Sequence, residues 1–293
     1  MNDIHNSWIL DDSSLVMDTL KKEFKMYKLT HYLDALKPML KPKIDVALTS
    51  TVGSNSNDVF SRMGGRPDLN INQVWPKDEN GKSLSFIGQL KAIEVSKFDA
   101  SGLFPKNGLL SFFYCSEQEA WGFDPKDKQR FRVIYTKESE TVVKHEFPED
   151  LDSSAIFKLN YLKFSAELSI PSFEYEIINE MIADEDVDNY LDLCEGSENQ
   201  IFGYANCVQG TMELECQLVS NGLYCGDATG YEDPRRNELE KGANDWVLLF
   251  QVGSDEYKTG MIWGDSGTLF YWIKKQDLAK NDFDKAWLIL QCG

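Results

Sequence analysis

The stretch Trp263-Gly264-Asp265-Ser266-Gly267-Thr268-Leu269-Phe270-Tyr271-Trp272-Ile273 sets a glycine-bounded turn directly before a run of apolar and β-prone residues. Gly264 and Gly267 supply turn conformations that other residues adopt poorly, and Asp265 and Ser266 are suited to bonding turn amides. Thr268 to Ile273 then reads as a strand. It is too apolar to have one wet face, so it should be covered on both sides.

The letters Gly264-Asp265-Ser266-Gly267 also invite comparison with the nucleophile loop of serine proteases. That chemistry needs a histidine base held by a carboxylate. The chain offers His5, His31 and His145, of which His5 lies near the terminus, His31 in an expected helix and His145 between Lys144 and Glu146. No nucleophile is paired with a base on this reading, so binding is expected rather than catalysis, and no cofactor is called for.

The pattern of glycine turn and apolar strand recurs. Leu84 to Leu90, Gly108 to Tyr114 and Phe131 to Tyr135 in the first half correspond to Asp245 to Val252, Gly267 to Ile273 and Trp287 to Gln291 in the second, with Gln89 falling on Gln251. Similar spacings imply an internal duplication. The first copy is expected over about 44–140 and the second over about 200–293. Between them, at about 150–199, the apolar spacing of Ile177, Ile178, Met181, Ile182, Val187, Tyr190 and Leu191 predicts one helix or two short ones. At the start, Asp11 to Ser14 offer N-caps, and Val16, Leu20, Phe24, Tyr27, Leu33 and Leu36 predict one amphipathic helix ending at Pro38. Its lysines, Lys21, Lys22, Lys25 and Lys28, form the solvated face. Ile44, Val46 and Leu48 alternate as a strand, and Thr51 to Asn57 read as a loop. The expected fold is α+β and β-rich: a pseudo-symmetric body of two related antiparallel or mixed β-units, with the N-terminal helix and the connecting helical segment, in one domain over 1–293.

With 293 residues and 42% hydrophobic content, the chain can bury a substantial core, and its formal net charge is −18. That charge disfavours nucleic acid, which needs a concentrated basic face, and favours a basic protein or another cation. The start lacks a signal peptide, and no apolar run is long enough to span a bilayer, so a cytoplasmic location without membrane contact is expected. Six cysteines without a Cys-x-x-Cys pair suit reduced thiols, although Cys207, Cys216 and Cys225 recur at equal spacing.

Two site hypotheses follow. Gln89 and Gln251 occupy equivalent places in apolar strands, so their amides need partners. They either bond within the structure or line a polar cleft between the copies, with Trp75, Trp263 and Asp265 at its mouth. Asp184, Asp186, Asp188, Asp192 and Glu195 have the spacing of an EF-hand calcium loop, with Asn189 where that loop wants glycine. The competing reading is a solvated acidic helix or linker, with no metal. The tryptophans lie mostly within apolar strands and read as core, Trp121, followed by Gly122, being the best candidate among them for exposure.

Taken together, Phe60-Ser-Arg-Met-Gly-Gly-Arg-Pro67 with Trp75-Pro76, Phe86-Ile-Gly-Gln-Leu90, Gly108-Leu-Leu-Ser-Phe-Phe113, Phe131-Arg-Val-Ile-Tyr135, Glu215-Cys-Gln-Leu218, Trp246 to Gln251 and Trp263 to Gly267 resemble the YwqG-like family, which is uncharacterised and mostly bacterial. The resemblance implies a cytoplasmic protein with a β-rich α+β fold and no established activity, cofactor or catalytic residue. One departure stands at Phe202-Gly203-Tyr204-Ala205, where the family pattern is Gly-Gly-Tyr-Pro. The leading expectation is a non-enzymatic binding protein, an immunity or regulatory factor for a basic protein partner. The alternative is a small-molecule or metal-ion module using the cleft between the copies.

Overall fold

The computed structural model describes residues 13–50 and 59–293. Ten strands form one sheet and two form a small ribbon. In chain order the strands are β1 (Lys41–Thr49), β2 (Arg62–Met63), β3 (Asp68–Asn70), β4 (Ser85–Lys91), β5 (Leu109–Tyr114), β6 (Phe131–Thr136), β7 (Val142–Lys144), β8 (Asn160–Ser169), β9 (Asn199–Phe202), β10 (Trp246–Gly253), β11 (Thr268–Lys274) and β12 (Trp287–Gln291). Every pairing is antiparallel, so the mixed alternative does not apply. The helices are α1 (Ser13–Met26), α2 (Leu33–Leu36), α3 (Ala92–Val95), α4 (Glu176–Met181), α5 (Val187–Cys194), α6 (Glu213–Val219), α7 (Ala228–Glu232), α8 (Arg236–Leu239) and α9 (Lys275–Leu278).

The strand order of the large sheet is β12-β11-β10-β9-β1-β8-β2-β4-β5-β6. It reads the same from either end if β1 is matched with β8, β2 with β9, and β4, β5 and β6 with β10, β11 and β12. The two long strands β1 and β8 lie at the centre of the order, each flanked on its outer side by a short strand. Thus β1 pairs with β9, β8 pairs with β2, and β1 and β8 run side by side from Lys41↔Ser169 to Thr49↔Tyr161. Both β4 and β10 carry a bulge two residues before the matched glutamine, at Ile87 and Leu249. Such an inserted residue sharpens the local twist and helps a sheet curl.

The sheet curls until it nearly closes. Phe112 of β5 packs against Phe250 and Tyr271 from the far half, each at 5.0 Å between ring centres, and Phe131 meets Trp287 at 5.6 Å. Ahead of β6, the Trp121 carbonyl accepts the Leu290 N–H at 3.0 Å, and the Gly122 carbonyl accepts Trp287 Nε1–H at 2.8 Å. A Cβ at Gly122 would lie 2.1 Å from the Leu288 oxygen, so only glycine lets this strap approach the β12 edge. Trp121 is accordingly half-buried against the core rather than exposed.

Leu269 to Ile273 are buried on both faces, as their unbroken apolar run requires. The turn before them differs in detail from expectation. Gly264 is left-handed at φ 54°, but the second left-handed residue is Ser266 at φ 55°. Gly267 is needed for proximity instead, because a Cβ there would lie 2.2 Å from the Gln291 oxygen.

Two further expectations need revision. The opening helix is not continuous to Pro38: α1 stops at Met26, Lys28 turns left-handed at φ 62°, and short 3-10 turns with α2 complete the path to β1. Leu20, Phe24, Leu29 and Leu36 still reach one secondary core, with Ile178, Ile182 and Tyr190. The segment at about 150–199 holds two short helices, α4 and α5, as its apolar spacing indicated, but it also holds a 3-10 turn (Ser153–Ala155) and the long strand β8, for which no expectation stood. Between β5 and β6, Asp124 to Gln129 contain a 3-10 turn whose Asp127 is buried and accepts the Gly122 N–H at 2.9 Å. The expected caps Asp11 and Asp12 and the loop Thr51 to Asn57 lie outside the described residues.

Candidate functional site

The left-handed pair Gly64-Gly65, at φ 60° and 67°, follows β2, and Phe202-Gly203, at φ 61° and 74°, lies at the end of β9. The surrounding bonds also correspond. Gln89 pairs in register with Arg62, and Gln251 with Gln200. Gln89 Oε1 accepts the Asp68 N–H at 2.9 Å, while its Nε2 donates to the Phe60 carbonyl at 2.8 Å. Gln251 Oε1 accepts the Asn206 N–H at 3.0 Å, and its Nε2 donates to the Glu198 and Ser197 carbonyls at 3.2 and 3.3 Å. Each glutamine clamps the backbone on both sides of its turn. Arg62 donates to the Arg66 carbonyl, and Gln200 to that of Tyr204 at 2.7 Å, bracing the two turns in the same way.

Both glutamines are therefore fully engaged and buried. Trp75 lies in a separate cluster with Phe113 and donates its indole N–H to the Leu84 carbonyl at 2.9 Å. Trp263 is buried against Tyr114 and Phe157, with its indole nitrogen unpartnered among the described residues, and Asp265 is exposed. None of these five residues lines any of the three cavities described below.

The acidic stretch is helical over most of its length. Asp184–Asp186 is a 3-10 turn leading into α5, which sets Asp188 and Asp192 one turn apart along one helix face rather than folding them around a common centre. Asp186 instead accepts bonds from His31 and Tyr32, at 3.1 and 3.0 Å. Among the described residues, no three His, Cys, Asp or Glu side chains are arranged to hold a metal. All six cysteines are free thiols, including Cys207, Cys216 and Cys225.

Each of the two corresponding turns borders a cavity. The larger, about 660 Å³, lies next to the Phe202-Gly203 turn and is bordered by α1, β1, β8, the end of α5, Gln200 and residues 204–208. At its floor Lys43, only 8% exposed, reaches Glu167 Oε2 at 3.3 Å. Glu23, Asp192 and Glu195 complete a lining in which carboxylates outnumber cations. Partial burial pushes the Glu23 carboxyl above its ordinary range, and the neighbouring Glu167 charge adds to this against the opposing pull of Lys43. Asp45, two residues along β1, is raised by the same causes and leaves one oxygen buried without a partner. The arrangement has negative charge in excess of what Lys43 can balance.

The cavity beside Gly64-Gly65, about 370 Å³, has the opposite character, lined by Arg62, Arg66 and Lys144 among aromatic and aliphatic side chains. A third, about 260 Å³, lies near the closure of the sheet at Lys128 and Phe283. There Lys128 donates to the Ala286 carbonyl at 2.8 Å and lies over the Phe131 ring, and burial lowers its ammonium to about 8. Sequence reasoning missed Glu23, Lys43, Glu167 and the role of the arginines. The available signal was alternation of Lys43 and Asp45 along a strand otherwise apolar on its opposite face.

An antiparallel, nearly closed β-sheet carrying helices, with cavities at its two braced turns, defines the class of protein. The chain belongs to the family described as domain of unknown function DUF1963, which matches residues 61–292. No curated protein matches the sequence. The match starts just before β2, so α1 and β1, which build much of the acidic cavity, lie outside it. Among the described residues, no helix is long and apolar enough to cross a membrane.

Proposed function

We propose that the protein is a non-enzymatic binding module whose acidic cavity receives a cationic side chain of a basic protein partner, acting as a regulatory or immunity factor in the cytoplasm. The observation that carries this reading is the group of Glu23, Glu167, Asp192 and Glu195 around a cavity in which Lys43 is, among the described residues, the lone cationic lining residue. An arriving guanidinium or ammonium relieves repulsion between carboxylates, and the formal charge of −18 speeds the approach of a basic partner. The cavity volume also falls within the range of small-ligand sites, which keeps a free organic cation as the alternative occupant.

The palindromic strand order, the paired bulges and the two glutamine clamps support an internal duplication in which the halves exchange their leading strands. On this reading the first copy runs from β1 to β6 and the second from β8 to β12, in one domain, with α1 packed on the second copy's helical insertion as an amphipathic helix. The motifs quoted above favour a YwqG-like relationship within the family.

The test is titration of the protein with an arginine-rich peptide and, separately, with free arginine amide, at low and high salt. Binding of the peptide that weakens in Glu167→Gln and Glu23→Gln supports the reading. Equal affinity for wild type and both variants rejects this cavity as the receptor, and tight binding of arginine amide alone favours the small-molecule alternative.

A further inference from the structure

The cavity beside Gly64-Gly65 is unusual in a chain with 48 acidic and 30 basic residues, because among the described residues its lining has three cations and no carboxylate. Arg62 is 3% exposed and held in place: its Nη1 meets Asp68 Oδ2 at 2.7 Å, and Asp68 also accepts from Gln89 Nε2 at 2.9 Å. Its charge is thereby balanced. Arg66 follows the left-handed glycines and pairs with Glu146, whose side chain is 79% exposed. An exposed pair of this kind contributes little and yields readily to a better anion. Lys144, opposite Asp68 in the β3–β7 ribbon, has no acidic partner of its own among the described residues. Two cations, one weakly engaged and one free, thus border the same space.

The remaining walls are apolar and partly flat. Phe60 and Tyr161 meet edge to face at 6.0 Å, with Phe147 and Phe157 nearby. Aromatic surfaces of this kind favour a ring, while an arginine fork and an ammonium favour a carboxylate or phosphate. A volume of about 370 Å³ fits one small molecule. We propose that this cavity binds a small aromatic anion, its carboxylate or phosphate held by Arg66 and Lys144 and its ring against Phe60 and Tyr161. The site is separate from the acidic cavity and does not depend on what occupies the latter.

The test is calorimetric titration of the full chain with phenyl phosphate, benzoate, phenol and inorganic phosphate. Saturable binding of phenyl phosphate or benzoate is expected, roughly tenfold or more tighter than phosphate or phenol alone, and whichever binds better identifies the head group. The double variant Arg66→Ala/Lys144→Ala, both at exposed positions, should fold and melt like wild type yet bind the preferred probe roughly tenfold or more weakly. No saturable binding of either ring-bearing anion up to about 10 mM overturns the proposal, as does undiminished binding in the double variant. Equal affinity for inorganic phosphate overturns the role of the aromatic wall.

Discussion

Gln89 and Gln251 perform one task at two places: each side-chain oxygen accepts a backbone N–H six residues beyond the strand residue paired with that glutamine, Asp68 in one case and Asn206 in the other. The amide nitrogens hold carbonyls on the opposite side of each turn. Replacing either glutamine by leucine leaves a buried N–H and C=O unpaired, at a cost of about 1–3 kcal/mol per site. Urea denaturation should show that loss for Gln89→Leu and for Gln251→Leu. The sites belong to separate turns, so the double variant should lose close to the sum of the two. An unchanged midpoint in either single variant would show that its clamp contributes nothing to stability.

The two left-handed turns tolerate side chains differently. At Gly64 a Cβ would lie 2.2 Å from the Lys158 carbonyl oxygen, so Gly64→Ala forces backbone to move and should cost more than about 2 kcal/mol. At the corresponding Phe202 the structure accommodates a whole phenyl ring, buried and packed 6.1 Å from Phe104. Phe202→Gly relieves about 1 kcal/mol of backbone strain but empties a core position, for a net loss of about 2 kcal/mol. Guanidinium titration of both variants checks this. A stabilised Phe202→Gly would mean that strain outweighs packing there.

The legible parts of the fold were those whose apolar runs are covered on both faces. β4, β5, β10, β11 and β12 fall where Leu84 to Leu90, Gly108 to Tyr114, Asp245 to Val252, Gly267 to Ile273 and Trp287 to Gln291 indicated. β8 escaped because Asn160 to Ser169 includes Lys163, Ser165 and Glu167, polar residues allowed by a strand only partly buried. β2 and β9 are too short to show a period. The cavities were less visible still, since Lys43, Glu167 and Glu23 lie far apart in sequence and meet only because β1 lodges between β9 and β8. The glutamine correspondence was readable, but which groups their amides bond depends on turn geometry that no spacing reveals.

Lys43 restrains the carboxylates beside it. Removing its charge in Lys43→Met leaves Glu167 without its partner and removes the influence that holds down Asp45 and Glu23. Their carboxyls then rise further in the folded state than in the unfolded chain, so the folded state binds the extra protons. Stability is retained at acid pH and lost as pH rises. The variant should be about 1–3 kcal/mol less stable near pH 7 and recover much of that deficit toward about pH 5. Thermal melts across this range test the sign. A deficit independent of pH would assign it to lost packing of the lysine chain instead.

Glu215 offers the sharper titration. It lies in the first turn of α6 and forms no hydrogen bond or ion pair among the described residues, and burial alone pushes its carboxyl up from 4.5 to about 7. Its neighbours on the same helix are committed elsewhere: Gln217 Oε1 accepts the Trp246 indole N–H at 2.9 Å, and Cys216 is fully buried. Because the folded pKa lies above the unfolded one, the native state holds a proton that the unfolded chain has lost between those two values. Stability contributed by protonated Glu215 is complete below the unfolded value and disappears as pH rises through about 7. Glu215→Gln removes this dependence. The variant should match wild type near pH 4 and exceed it at pH 8 by on the order of 2 kcal/mol, after discounting for partial solvent access. Denaturant midpoints at those two pH values decide it. A variant less stable than wild type at pH 8 would mean that the ionised carboxylate is held by favourable contacts, contrary to its lack of any partner here.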